Sequence, residues 1–182
     1  MTEKSESEVL YEGQFKRFMR LKGWEFVERT CGRGVVAVIA KTPEDKILFV
    51  EQFRVPVAQF VIEFPAGITA DGLSHAHETD EEAARRELLE ETGYHAEELE
   101  FIGKGPSSAA SVTDIILLYR ARGLKKVGPG GGDHTEVITV HEVASHQVDT
   151  WLRQKEREGC LVDPKVYAGL YFLARENHPK KG

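Results

Sequence analysis

Cysteine, methionine and tryptophan each occur only twice in the 182 residues, and no apolar run approaches the length of a membrane span. Cys31 and Cys160 are far apart and neither lies in a metal-type spacing, which argues against a disulfide framework or a zinc site and leaves both as buried or partly buried thiols. The first eight residues, MTEKSESE, lack the apolar stretch of a signal peptide, so a cytoplasmic protein and no membrane partner are expected. Positive charge is also in deficit: 24 Lys and Arg stand against 30 Asp and Glu, a net charge of −6. That balance argues against a nucleic-acid duplex as the main partner, because affinity for phosphate backbones comes largely from lysine and arginine. An acidic protein can still take up an anionic small molecule through metal ions.

With 41% hydrophobic and 30% charged residues, the chain has the composition of a soluble globular protein, and its length suits one well-cored domain. The expected organisation is a flexible amino-terminal stretch 1–8, one domain 9–178 that opens with strands over 9–30, and a tail 179–182. Turns at Glu12-Gly13 and Lys22-Gly23 divide those opening strands. GVVAVIA and KILFVEQF read as a core hairpin around the turn TPEDK, and FVIEFPAG as a strand ended by Pro65 and Gly67. ITADGLSHAHETD is a polar loop before a helix with Thr79 or Asp80 as N-cap and Gly93 just past its end. LEFIGKG, DIILLYRA and EVITVHEV are further strands, KKVGPGGGDH is a flexible connection, and helices are expected near 145–158 and 163–177. Strands first, a helix in the middle and mixed elements at the end imply an α+β fold and no repeating βαβ pattern.

The stretch AARRELLEETGY within the first helix crowds Glu87, Glu90 and Glu91 together without a lysine among them. Like charges three or four positions apart destabilise a helix by roughly 0.2–0.5 kcal/mol per pair. On a helical wheel these acids share a side with Ala83, Ala84 and Leu88, which should face the protein, whereas Glu81 with Arg85 and Glu82 with Arg86 are spaced as ordinary surface pairs. A solvated acidic face would lie opposite the apolar stripe, but a hard divalent cation such as Mg²⁺ or Mn²⁺ calls for carboxylates that border it.

Glu78, Arg86-Glu87-Leu88, Glu90-Glu91 and Gly93 at these spacings resemble the Nudix box, the loop–helix–loop signature of Nudix hydrolases. VEQFRVPV followed by VIEFPAG, and GWEFVERT upstream, look like the ADP-ribose and nucleoside-diphosphate-sugar pyrophosphatase branch. The resemblance covers most of the chain. It implies a mixed β-sheet sandwiched between α-helices with an amino-terminal antiparallel strand region, and a homodimer in which those strands reach the partner's pocket. It also implies Mg²⁺- or Mn²⁺-dependent cleavage of a nucleoside diphosphate sugar, of the ADP-ribose, ADP-glucose or GDP-mannose type, to nucleoside monophosphate and sugar phosphate.

By motif position, the resemblance makes Glu87 and Glu91 metal ligands, Glu90 a further ligand or a contact to metal-bound water, and the Ala66 carbonyl a backbone ligand. Arg86 would orient a box glutamate and Glu78 would brace the loop. Arg54 would contact substrate phosphate or nucleotide, Glu63 would lie near substrate or metal, and Trp24 would stack on the base. Glu136, after the glycine-rich stretch, is the candidate general base, with Asp133 and His134 as rivals. Either Gly67 or Gly72 could play the box glycine, and His75 and His77 in the intervening loop read as solvated. GPSSAASVTD lacks the proline–glycine turn and downstream glutamate of many branch members, which leaves the preferred sugar open. A nucleoside triphosphate or dinucleoside polyphosphate hydrolase, and a non-catalytic nucleotide-sugar sensor, are the alternative readings.

Overall fold

The computed structural model describes residues 7–72, 75–132 and 137–176. Both chain ends as read above, and Asp133, His134 and Glu136, therefore fall wholly or partly outside the described residues.

Three short strands, β1 (Glu8–Glu12), β2 (Lys16–Leu21) and β3 (Trp24–Arg29), form an antiparallel sheet of their own. The β2–β3 turn places Lys22 and Gly23 at φ 51° and 82°, the left-handed pair that matches the twist of a two-residue hairpin. β3 is tied to the body of the molecule by a bridge from Val27 to Val112 and by an ion pair from Arg29 Nε to Asp114 Oδ1 at 2.9 Å.

β4 (Gly34–Ala40) is an apolar run buried on both faces, as a strand flanked on both sides must be. β5 (Lys46–Arg54) follows it, but the two do not form the expected hairpin. Only Lys41 and Ile47 bridge at the turn; β4 then pairs with β7 (Ala66–Thr69) and with β9 (Ile115–Lys126), while β5 pairs with β6 (Gln59–Glu63) and β10 (Ile138–Ala144). Each strand has its two edges occupied by other partners, so the turn divides two sheets instead of closing one ladder. The FVIEFPAG segment also differs from the sequence reading. Pro65 does not end the strand for good: β6 stops at Glu63, and Ala66 starts β7 in the other sheet, opposite Ala37.

Helix α1 (Asp80–Thr92) begins at Thr79 in a reciprocal capping box and ends at Gly93, with φ 75°. Glu82 is part of that box, accepting from Thr79 N at 2.7 Å, so the anticipated Glu82–Arg86 pair does not form, whereas Glu81–Arg85 does at 3.1 Å. β8 (Tyr94–Pro106) pairs with β9 along nearly its whole length and completes the sheet order β7-β4-β9-β8. α2 (Val148–Arg157), the short strand β11 (Leu161–Val162) and α3 (Pro164–Glu176) finish the chain; β11, which the sequence reading missed, joins the second sheet in the order β10-β5-β6-β11.

Alternation along β4 and β5 builds two cores. Val36, Val38, Ala40 and Leu48 pack with Ala83, Ala84 and Leu88 of α1, whereas Ile39, Ile47 and Phe49 pack with Phe64, Val148, Leu152 and Val166 beneath α2 and α3. Mixed sheets thus lie between α1 on one side and α2 and α3 on the other, an α+β architecture. Leu88 is fully buried, and truncating such a side chain to alanine costs about 2–5 kcal/mol. Its burial anchors the helix face that carries the acids. Among the described residues no helix is long and apolar enough to cross a membrane.

Candidate active site

The crossing from β6 to β7 and the face of α1 that looks onto it enclose a cavity of about 480 Å³. Its acidic wall comes from α1. Glu91 is 3% exposed, and its carboxylate accepts a hydrogen bond from Ala66 N at 2.9 Å, which joins the last turn of α1 to the start of β7. The Glu87 carboxylate occupies the space a side chain would need at Gly67: a Cβ there would lie 1.9 Å from Glu87 Cδ. Gly72, in contrast, sits at φ 63° with open space around it. Gly67 is therefore the glycine that admits an acid, and Gly72 serves the loop's turn.

Arg86 organises these acids. Its Nε and one terminal nitrogen hold the two oxygens of Glu78 at 3.1 and 3.0 Å, and the other terminal nitrogen reaches Glu87 at 2.7 Å and Glu90 at 3.1 Å. Glu78 also accepts from Ala70 N at 3.1 Å, so it braces the loop to the strand, and the hydrogen bonds from Arg86 hold its carboxyl below the ordinary value. Both histidines keep solvent contact, His75 with 40% of its side chain exposed. His77 is exposed, but His75 lines the cavity, with Nδ1 at 3.7 Å from Glu78.

The helix's own field sharpens the crowding. Asp80, Glu81 and Glu82 lie in the first turn, where the helix dipole favours negative charge, but Glu90 and Glu91 lie near the end where it opposes it, and no basic residue occupies the last turn. Backbone donors from the glycine-rich segment meet that end: Gly131 N bonds the Glu91 carbonyl at 2.8 Å and Gly132 N the Glu90 carbonyl at 3.1 Å. Gly128 packs so closely on Gly93 that a Cβ at Gly93 would lie 2.1 Å from its carbonyl oxygen. The segment expected to be a flexible connection is thus docked on α1 through Gly132, which lines the cavity.

Elsewhere the cavity is lined by cations paired with acids. Arg54, at the end of β5, gives its Nε to Glu63 Oε2 at 2.7 Å, so these two predicted residues meet at the cavity as a pair. Arg29 and Lys165 line it as well. Neither stood out in the sequence: Arg29 looks like one polar residue of an alternating strand, and Lys165 like a surface charge in the first turn of a helix. Trp24 is not brought to this cavity within the chain. It is 64% exposed and lines a separate apolar groove with Leu21, Phe26 and Val112. It lies five residue steps along β3 from Arg29, about 17 Å at the usual rise.

Carboxylates without thiols or clustered imidazoles form a hard-oxygen donor set, which suits Mg²⁺ or Mn²⁺ and not a thiophilic metal. Among the described residues no trio of His, Cys, Asp or Glu is already drawn together at ligand distance. Arg86 spans Glu87 and Glu90 instead, so a cation bound there would share those carboxylates with it.

The NUDIX domain family model matches residues 32–159. ADP-ribose pyrophosphatase from Bacillus subtilis (strain 168) is 41% identical over 141 residues, which span 77% of this chain and 71% of that protein. Methanol dehydrogenase activator from Bacillus methanolicus is 36% identical over 141 residues, with the same coverage of 77% and 71%. ADP-sugar pyrophosphatase from Mus musculus is 30% identical over 200 aligned positions, covering 96% of this chain and 87% of that one. In fold, the chain resembles a solved ADP compounds hydrolase, with a TM-score of 0.64 at 20% identity over 94% of this chain and 90% of the other. The chain belongs to the Nudix family.

Proposed function

We propose that this protein is a Nudix hydrolase that splits the pyrophosphate bond of a nucleoside diphosphate sugar to nucleoside monophosphate and sugar phosphate. One observation carries the reading: the α1 acids Glu87, Glu90 and Glu91 and the cations Arg54 and Lys165 line one cavity. A diphosphate is an anion that the Arg54 guanidinium can contact, and the α1 acids would repel it unless cations intervene. The pyrophosphatase names of two of the relatives point the same way.

Glu87, Glu90 and Glu91 would hold Mg²⁺ or Mn²⁺, with the Ala66 carbonyl as a backbone ligand. Such ions neutralise the diphosphate, polarise its phosphorus and make a bound water more acidic. Arg86 keeps Glu87 and Glu90 turned toward the cavity. Arg54 supplies planar guanidinium donors matched to phosphate oxygens, and Glu63 fixes its direction. Glu136 would accept the proton of the attacking water, for which it must come within about 2.6–3.2 Å of it. The protein acts in the cytoplasm as a homodimer in this reading, with Trp24 stacking on the base in the partner's cavity. The exposed Val9, Tyr11, Phe15 and Trp24 on and beside the amino-terminal strands support such a surface.

Turnover of ADP-ribose, ADP-glucose, GDP-mannose, UDP-glucose, diadenosine polyphosphates and nucleoside triphosphates with Mg²⁺, with products identified by mass, tests this. Nucleoside monophosphate plus sugar phosphate from one nucleotide-sugar group is the expected result. Silence across the panel with nucleotide sugars still bound would point to a sensor.

A further inference from the structure

Lys165 reaches the cavity from the first turn of α3, and backbone contacts fix that turn. β11 runs parallel to β6 with Val162 opposite Ile62, and Asp163 N donates to the Ile62 carbonyl at 3.0 Å. The start of α3 is therefore held beside Glu63. Asp163 then accepts twice from Lys165: its Oδ1 takes the Lys165 backbone N–H at 2.7 Å, and its Oδ2 takes the ammonium. The same ammonium lies 4.0 Å from Glu63 Oε1, while Glu63 Oε2 holds Arg54 Nε at 2.7 Å. The result is an alternating row, Arg54–Glu63–Lys165–Asp163, that runs from the cavity to the start of α3.

The row is electrically balanced, and its central carboxylate is the most shielded member: the Glu63 side chain is 8% exposed, against 20% for Lys165 and 18% for Asp163. Without Lys165, Arg54 alone would answer two carboxylates, and the row would carry a surplus negative charge facing an anionic substrate. A shielded carboxylate left with a single cation also draws that cation toward itself, which for Arg54 means away from the cavity. Lys165 shares Glu63, so Arg54 needs to commit only its Nε. Among the described residues Glu63 is the one side chain that bonds Arg54.

We propose that Lys165 is a positioning residue that keeps the Arg54 guanidinium directed toward the cavity and so sets affinity for the substrate's diphosphate. The proposal rests on the reading of the cavity as a nucleotide-sugar site. It goes beyond that reading by assigning substrate affinity to a residue of the last helix, outside the loop–helix–loop motif.

The test compares the full-length protein with Lys165→Met, Lys165→Gln, Lys165→Arg, Arg54→Ala and the Arg54→Ala/Lys165→Met double variant. For the best nucleotide sugar, the two neutral variants should raise KM about tenfold with kcat within about threefold of the parent, a loss of binding common to ground and transition states. Lys165→Arg should recover most of the loss. The double variant should be no worse than Arg54→Ala alone, because the two residues act as one unit. In parallel, calorimetry with inorganic pyrophosphate and Mg²⁺ should show the same roughly tenfold weakening in both neutral variants, a scale set by one lost charge contact. A fall in kcat at constant KM, additive losses in the double variant, or unchanged pyrophosphate affinity would each overturn the role of Lys165. Absence of turnover by the parent would instead remove the catalytic reading, and the pyrophosphate titration would still decide the inference.

Discussion

Two sets of acids in this molecule are balanced in opposite ways. On the β5–β10 side each carboxylate has its own donors: Glu142 takes Lys126 and Tyr94 at 2.8 Å and Lys46 at 3.4 Å, and Glu51 takes His141 and Lys155 at 2.8 Å. Around α1, Glu78, Glu87 and Glu90 share Arg86, and Glu91 bonds a backbone amide. The first arrangement satisfies itself and staples strands and a helix together. The second gathers Glu78, Glu87 and Glu90 around one guanidinium at the edge of a cavity, an arrangement that suits the divalent cations of the proposed reading. Acid count alone would not separate the two regions; the ratio of acids to their own cations does.

The largest effect should follow from removing one acid of the second set. Glu91→Gln retains a hydrogen-bond acceptor for Ala66 N, so the fold should persist by circular dichroism while Mg²⁺-dependent turnover falls by about 100-fold or more. Full activity in that variant would place Glu91 with the structural acids and dissolve the distinction.

Removing the shared cation probes the same contrast from the other side. Arg86→Ala leaves a largely buried group of carboxylates facing one another and should cost about 2–4 kcal/mol in urea unfolding. Added Mg²⁺ should return more of that loss than it adds to the parent, because the ion binds only the folded site. Lys126→Ala on the balanced side should show no such recovery. Equal responses of the two variants to Mg²⁺ would mean that the α1 acids have no special claim on a cation.

The balanced set should announce itself through pH. Hydrogen bonds from Lys126 and then Tyr94 outweigh burial and hold the Glu142 carboxyl down to about 2, from an ordinary 4.5. A carboxyl lowered on folding stabilises the protein above its unfolded value and loses that contribution as pH falls through the folded one. Stability of the parent should therefore drop between about pH 4.5 and 2 by roughly 2 kcal/mol more than that of Glu142→Gln. Turnover near neutral pH should be the same in both. Parallel acid-unfolding curves would show that Glu142 gains nothing from its neighbours.

How much of this was legible beforehand depended on whether the signal was local. α1 could be read almost to the residue, because Thr79 and Gly93 act within one turn of the helix ends and the glutamates lie on a face set by helical period. The motif marks Arg86 as an organiser of the acids, but its grip on Glu78, just outside the helix, is not visible in the spacing, and the alternative pair with Glu82 is ruled out only by the capping box. The division of β4 and β5 between two sheets was not legible, since a turn between two apolar strands looks the same whether or not they pair beyond it. Lys165 was invisible for a related reason: only the docking of β11 on β6, some hundred residues away in sequence, brings it to Glu63. Trp24 was named from the resemblance, and within one chain its strand carries it past the cavity.

The smallest predicted effect asks whether α1 depends on its caps or on its acid clamp. Thr79→Ala removes the hydroxyl that accepts from Glu82 N at 3.2 Å but leaves the Thr79 amide to Glu82 contact available, so it should cost about 1 kcal/mol in urea unfolding. The cavity-lining acids sit two turns and more along the helix, where Leu88 is buried and Arg86 and Ala66 N hold the carboxylates. Fraying at the first turn should not reach them, and kcat at saturating Mg²⁺ should stay within about twofold of the parent, as for a surface change away from the reacting groups. A loss of activity in step with stability would mean that the cap, and not the clamp, sets the register of Glu87 and Glu91, and the two halves of α1 would then have to be treated as one unit.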